Sequence, residues 1–268
     1  MFSNAAVIQR LLDLFEAPKY LEIGVDHGDT FMALRAARKV GVDPRFNFDA
    51  RSYASSSAGV ECHEVPSDHY FDSVAESSDK FDVIFLDGLH VAEQTLRDLI
   101  NALCLLKSSG VIVIDDVIPN SYHASLADTG DLIRVREFLT VRNPHLAKEE
   151  DWMGDVYKLP FFIDSFMQQL SYATILENRG QTVVWHQRRL AREVGHRSLE
   201  QIARLEFKDL IRAFDVLRLT PFDKIVELVS AAIHAPRQVR DGSSGVPDRN
   251  VGQEFWQIQM KIGPPGVT

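Results

Sequence analysis

Tyr20-Leu21-Glu22-Ile23-Gly24-Val25-Asp26-His27-Gly28-Asp29-Thr30-Phe31 is the stretch whose reading decides the fold. A short apolar run, residues 20–23, predicts a strand. It passes into a turn with two spaced glycines, and then into a helix starting near Thr30 or Phe31. Strand, glycine turn and helix in this order make the first unit of an open α/β sheet. In such sheets ligands sit beyond the carboxyl ends of the strands.

The alternation continues outward from there. Further strands are predicted over residues 40–42, 60–63, 83–86 and 111–114. Val83-Ile84-Phe85-Leu86 and Val111-Ile112-Val113-Ile114 are apolar without alternation, as expected of central strands covered by helices on both faces. Between them Leu96, Leu99, Ile100, Leu103 and Leu106 recur at helical spacing and stop at Lys107-Ser108-Ser109-Gly110, which predicts a crossover helix over residues 91–106. Residues 171–176 and 182–185 read as a closing antiparallel hairpin turned at Asn178-Arg179-Gly180. The expected fold class is α/β, a doubly wound, mostly parallel Rossmann-like sheet with a C-terminal antiparallel hairpin and a C-terminal helical appendage. Residues 1–188 would form the ligand-binding domain, 189–234 the appendage, and 235–268 a largely irregular tail. Within the appendage, helices are expected over 198–217 and 221–233, capped by Ser198 and Thr220. Within the tail, Phe255 and Trp256 are the residues suited to a contact.

Bulk properties bound the function. The chain has 268 residues, enough for a full core. Its 29 Lys and Arg stand against 38 Asp and Glu, a net charge of -9, which leaves no basic surplus for nucleic acid. Two cysteines far apart, Cys62 and Cys104, speak for a reducing compartment and against a disulfide framework or a cysteine zinc site. No run reaches the ~18 apolar residues of a membrane span, and residues 1–15 do not read as a signal segment. The expectation is a soluble cytoplasmic protein with neither a membrane nor a nucleic acid as partner. Val7, Ile8, Leu11, Leu12, Leu14 and Phe15 repeat at helical spacing, so the N-terminus reads as an amphipathic helix packed on the body. This helix and the appendage are also the surfaces for a homodimer or higher homo-oligomer.

Charge separates the ligands that a glycine turn could serve. A pyrophosphate would be repelled by Glu22, Asp26 and Asp29, whereas a ligand with ammonium and sulfonium groups would be drawn to them. Where a dinucleotide fingerprint needs its middle glycine, this turn has Asp26. Asp43, at the end of the second strand, suits the two hydroxyls of a ribose, or a plain turn before Pro44. Pro66-Ser67-Asp68 serves equally as a helix cap or an adenine contact. Leu86-Asp87-Gly88-Leu89-His90 and Ile114-Asp115-Asp116-Val117 bring three carboxylates to the ends of adjacent strands. That is a ligand set for a hard divalent cation, Mg2+ foremost, with calcium or manganese as alternatives. Capping is the structural reading of the same carboxylates.

These three segments, 20–31, 87–90 and 110–119, resemble class I S-adenosylmethionine-dependent methyltransferases, in particular the metal-dependent small-molecule O-methyltransferases of the catechol and macrocin kinds. The resemblance spans about residues 19–188. It implies that Glu22, Gly24, Asp26, Gly28 and Thr30 hold the methionine part of S-adenosylmethionine, Asp43 the ribose, and Ser67 and Asp68 the adenine. Asp87 would border the cofactor as well. It implies Asp87, Asp115 and Asp116 as metal ligands, although the catechol enzyme has Asn at the last position. His90 stands where that enzyme has its Lys base, so His90 and Asp87 are the catalytic candidates. Tyr122, His123 and Trp152 are candidates for the acceptor pocket, and residues 128–130 for a loop over it. The expected reaction is metal-assisted O-methylation of a small hydroxylated acceptor, with a sugar or glycosylated natural product ahead of a catechol. Metal-independent N- or O-transfer, and a non-catalytic cofactor-binding or assembly subunit, are the alternatives.

Overall fold

The computed structural model describes residues 2–142 and 152–235. In chain order the elements are α1 (Asn4–Leu12), β1 (Lys19–Ile23), α2 (Asp29–Ala33), β2 (Arg38–Asp43), α3 (Ala50–Ser56), β3 (Val60–Glu64), α4 (Ser67–His69) and β4 (Phe81–Leu86). They continue as α5 (Ala92–Leu105), β5 (Leu106–Ile114), α6 (Thr129–Arg142), α7 (Lys158–Phe166), β6 (Leu170–Ile175) and β7 (Thr182–His186). The described part closes with α8 (Leu199–Ala203), α9 (Phe207–Arg212), β8 (Leu219–Thr220) and α10 (Phe222–His234).

The eight strands form one sheet in the order β3-β2-β1-β4-β5-β7-β6-β8. β3, β2, β1, β4 and β5 run parallel, and β7 is antiparallel to both β5 and β6. This is the doubly wound sheet with an antiparallel end. The strand order reverses between β1 and β4, where the loops after these two strands part and leave a crevice.

The unbroken apolar strands have a direct cause. Along β4, Ile84 and Leu86 enter the core under α5 and α7, whereas Val83 and Phe85 enter the opposite core with α1 and α10. Successive side chains of a strand point to opposite faces, so a sheet covered on both sides needs every residue apolar. Val7, Ile8, Leu11 and Leu12 of α1 are buried in the second core, so the apolar face of this helix is spent within the chain.

Two sequence expectations change. Residues 107–110, read as the stop after the crossover helix, lie inside β5: the register with β4 shifts there, and Lys107 reaches Asp82 at 2.7 Å. The single helix expected over 198–217 is three short pieces, α8, α9 and a 3-10 turn at Phe214–Leu217. Ser198 caps α8 as expected, but Glu206 and Asp209 form a second reciprocal cap that restarts the chain. The breaks let Ile202, Leu210 and Leu217 all reach one small core with Tyr157 and Phe161. Thr220 does not cap α10; it lies in β8, and the Glu177 carboxylate accepts the Phe222 N–H at 3.0 Å. β8 pairs with β6, and Phe222, Ile225 and Val229 of α10 are buried in the second core. Phe255 and Trp256 lie outside the described residues.

Among the described residues, no helix is long and apolar enough to cross a membrane.

Candidate active site

The loops after β1, β2, β3 and β4 enclose a cavity of about 760 Å³ at the switch point, lined among others by Glu22, Gly24, Asp26, Thr30, Asp43, Ser67, Asp68, Asp87 and His90. This is within the range of small-molecule and cofactor sites. Gly28 is not in the wall. It precedes α2 in the left-handed conformation, at φ 79°.

The turn after β1 is shaped by its neighbours. Gly24 has φ +87°, and a methyl group there would lie 2.0 Å from the carbonyl oxygen of Asp87, so only glycine lets β1 and β4 end side by side. The Asp43 carboxylate then ties the turn down: Oδ2 accepts the N–H groups of Val25 and Asp26 at 2.8 and 2.9 Å, and Oδ1 accepts that of Arg45 at 2.8 Å. Asp43 therefore builds the turn after β1 as well as facing the cavity. Behind the loop, the buried Lys39 ammonium donates to the carbonyls of Phe31 and Leu34 and to the Tyr53 hydroxyl, closing the end of α2. Glu22 is buried and accepts a hydrogen bond from the Tyr20 hydroxyl at 2.6 Å; burial holds its carboxyl well above the ordinary range.

At the β3 end, Ser67 and Asp68 open α4 and meet α5. The Gln94 amide donates to Ser67 Oγ, Asp68 Oδ1 and Asp98 Oδ1 at 3.1–3.2 Å. Gln94 lines the cavity and Asp98 lies behind it, buried; burial raises the Asp98 carboxyl to about 6. Neither Gln94 nor Asp98 is among the residues that the sequence pattern singles out. Their signal was a polar pair four residues apart, adjoining the apolar Leu99 and Ala102.

The acidic residues of β4 and β5 do not converge as a set of three. His90 Nε2 lies 3.1 Å from Asp116 Oδ2 and 3.6 Å from Asp87 Oδ1, and one ligand-capable atom of each residue is within 4.8 Å of the others. Asp115 turns elsewhere. Its Oδ2 accepts from the Asn4 amide of α1 at 2.6 Å and from Gln181 at 3.3 Å, and its Oδ1 accepts the Asp116 N–H. Burial, with Asp87 and Asp116 nearby, holds the Asp115 carboxyl well above the usual range. Asp116 adopts φ +62°, unusual for a residue with a side chain, and this aims its carboxylate at His90. Burial also raises Asp87, and raises Asp116 to about 6. For His90, burial disfavours the charge, but the Asp87 hydrogen bond and both carboxylates outweigh it and lift the ring to about 9. Asn4 and Gln181 had no signal in the sequence, because they lie 111 and 66 residues from the carboxylate they hold.

The segment after residue 151 closes on His90. The Trp152 carbonyl lies 2.6 Å from His90 Nδ1, and the indole packs over the imidazole with ring centres 5.3 Å apart. Gly154 sits so near that a methyl on it would lie 1.6 Å from the His90 carbonyl oxygen. Trp152 thus packs on His90, although it does not itself line the cavity. Tyr122 is 59% exposed, and neither it nor His123 lines the cavity. Asp128, expected in a covering loop, caps α6 through the Asp131 N–H.

Residues 21–117 match the family model described as a methyltransferase domain. Over these residues the chain is similar to a methyltransferase domain, and they lie in the parallel half of the doubly wound sheet. The glycine turn, Asp43 and the cavity all fall within or beside the matched segment. No curated protein sequence matches the chain. Solved structures similar to the methyltransferase domain include a Staphylococcus aureus protein provisionally named a caffeoyl-CoA O-methyltransferase, 14% identical, with a TM-score of 0.47 over 70% of this chain and 85% of that one. Cofactor-bound Rv0187 from MTB is 19% identical, with a TM-score of 0.48 over 70% and 83%. The O-methyltransferase TomG of Streptomyces achromogenes, solved with S-adenosylmethionine, is 19% identical, with a TM-score of 0.42 over 67% and 78%. At these identities and TM-scores the likeness carries no weight for substrate or mechanism.

Proposed function

We propose that this chain is a divalent-cation-assisted O-methyltransferase that transfers the methyl group of S-adenosylmethionine to a hydroxyl of a small molecule, with a sugar or glycosylated natural product ahead of a catechol. The observation that carries the reading is the cavity at the switch point, with Glu22, Asp26 and Asp43 along one side and the Asp87, His90 and Asp116 cluster beside it. The methionine part would lie against Glu22 and the Gly24 turn, the ribose at Asp43, and the adenine beside Ser67, Asp68 and Gln94. Two carboxylate oxygens and a ring nitrogen within 4.8 Å fit a small divalent cation. When bound, such a cation supplies Lewis acidity that lowers the pKa of an acceptor hydroxyl.

The rest of the work falls to this chain's residues. Methyl transfer needs the acceptor oxygen in line with the sulfonium, so positioning supplies much of the rate. Trp152, packed on His90, offers an aromatic wall for the acceptor. A cation held through His90 Nε2 would occupy the lone pair that a base needs, so His90 serves as a ligand and not as the general base.

The test is a calorimetric titration with S-adenosylmethionine and S-adenosylhomocysteine, followed by transfer of labelled methyl to sugar, glycoside and catechol acceptors with and without chelator. Cofactor binding and chelator-sensitive transfer to a hydroxyl are expected. Transfer indifferent to chelator would replace this reading with metal-independent transfer, and cofactor binding without turnover on any acceptor would replace it with a cofactor-binding subunit. Failure to bind either cofactor, with binding of NADH, would overturn it.

A further inference from the structure

The donors brought together at the ends of β4 and β5 differ from the three carboxylates that the sequence pattern offers. Asp115 is engaged on both oxygens by Asn4, Gln181 and the Asp116 N–H, and turning it toward Asp87 would break the 2.6 Å bond that anchors α1. The place left open by Asp115 is taken by the imidazole of His90. Its Nε2 is 3.1 Å from Asp116 Oδ2 and 3.6 Å from Asp87 Oδ1. Donors bound at about 2.0–2.2 Å to one small cation stand about 2.8–3.1 Å apart in an octahedron and about 3.3–3.6 Å apart in a tetrahedron.

A second observation concerns the far side of the same ring. A metal-bound histidine almost always donates its other ring N–H to a carbonyl or carboxylate, which fixes the tautomer and the ring plane. Here Nδ1 stands 2.6 Å from the Trp152 carbonyl, the Trp152 indole covers the ring, and the indole N–H is itself held by the Leu126 carbonyl at 2.6 Å. With Nδ1 donating to that carbonyl, a ring that gives up its other proton to a cation would present its lone pair at Nε2, on the side of both carboxylates.

We propose that Asp87, His90 and Asp116, and not Asp115, form a mixed nitrogen and oxygen cation site that takes a first-row transition metal ion in preference to magnesium. Imidazole nitrogen suits such ions, whereas Mg2+ favours oxygen ligands in a strict octahedron. In this arrangement Asp115 is a positioning residue that ties α1 to the strand end carrying Asp116. The inference deepens the cation-assisted reading above and rests on it only for the use made of the ion.

The experiment uses the full chain stripped of metal. Mg2+, Mn2+ and Co2+ are titrated separately by calorimetry, and the visible absorption of bound Co2+ is recorded, for the native chain, His90→Ala and Asp115→Asn. S-adenosylhomocysteine binding without metal is measured on all three. The expected result is Co2+ binding at least about tenfold tighter than Mg2+, weakened at least about tenfold in His90→Ala and changed less than about threefold in Asp115→Asn. Retained Co2+ affinity in His90→Ala overturns the proposal. So does equal or tighter binding of Mg2+, or an Asp115→Asn chain that binds the homocysteine cofactor yet loses Co2+. Should Asp115→Asn fail to fold, the Co2+ spectrum decides: loss of the nitrogen-ligated absorption in His90→Ala supports the site, and its persistence overturns it. Absence of cofactor binding in the native chain would strike the methyltransferase reading while leaving the metal result to stand by itself.

Discussion

Asp43→Asn tests how the cofactor loop is built. In the native chain the carboxylate receives three backbone N–H groups, two on Oδ2 and one on Oδ1. An amide has one acceptor oxygen. Facing it toward Val25 and Asp26 keeps two bonds but turns an NH2 group onto the Arg45 N–H, so that bond is lost. The two that survive pass from a charged to a neutral acceptor, from about 1.5–3 to about 0.5–1.5 kcal/mol each. The lost bond adds about 1 kcal/mol, because Arg45 is exposed and water satisfies its N–H in part. The substitution should therefore cost about 3–4 kcal/mol of stability, most of it in the order of residues 24–28. A ribose hydroxyl that met a charged acceptor meets a neutral one, so affinity for S-adenosylhomocysteine should fall at least about tenfold. Urea denaturation and calorimetry on the same preparation check both numbers. Stability within about 1 kcal/mol of native together with affinity within twofold would refute the reasoning, because it would mean that the carboxylate neither holds the turn nor meets the ribose.

Two further outcomes follow from buried charges. The Arg189 guanidinium donates to Asp164 and to the carbonyls of Leu170, Ile163, Met167 and Glu193, so Arg189→Ala should cost about 3–5 kcal/mol in chemical denaturation; a loss below about 1 kcal/mol would show these bonds to be dispensable. Burial raises Asp98 to about 6 in the folded chain against about 3.9 unfolded, so the folded chain binds more protons between those values and stability falls as pH rises from about 4 to 6. That slope is worth up to about 3 kcal/mol and should be absent in Asp98→Asn; parallel stability curves for the two proteins from pH 4 to 7 would contradict it.

Most of the cavity lining was legible because it is local. The residues from Glu22 to Thr30 are contiguous, and their charge and glycines act within one turn. Ser67, Asp68 and Asp43 follow at strand ends, where the architecture itself aims them at the switch point. The second role of Asp43, as the acceptor that builds the turn, was hidden, since its donors lie 17 and 18 residues earlier. The C-terminal helices were misjudged in length because helical periodicity continues through Arg204, while the pull of a small separate core breaks the helix there.

The sequence by itself determined the doubly wound sheet and the place of its crevice. Apolar runs, glycines and carboxylates at strand ends carry that information residue by residue. Only the tertiary structure decided which of the acidic residues meet. Asp115 and Asp116 are neighbours in the chain, but the left-handed turn at Asp116 sends their carboxylates to different partners: one to the amides of Asn4 and Gln181, the other to His90. That division depends on where α1, the β6–β7 hairpin and the Trp152 segment pack, and contacts across such distances leave no pattern in a single sequence.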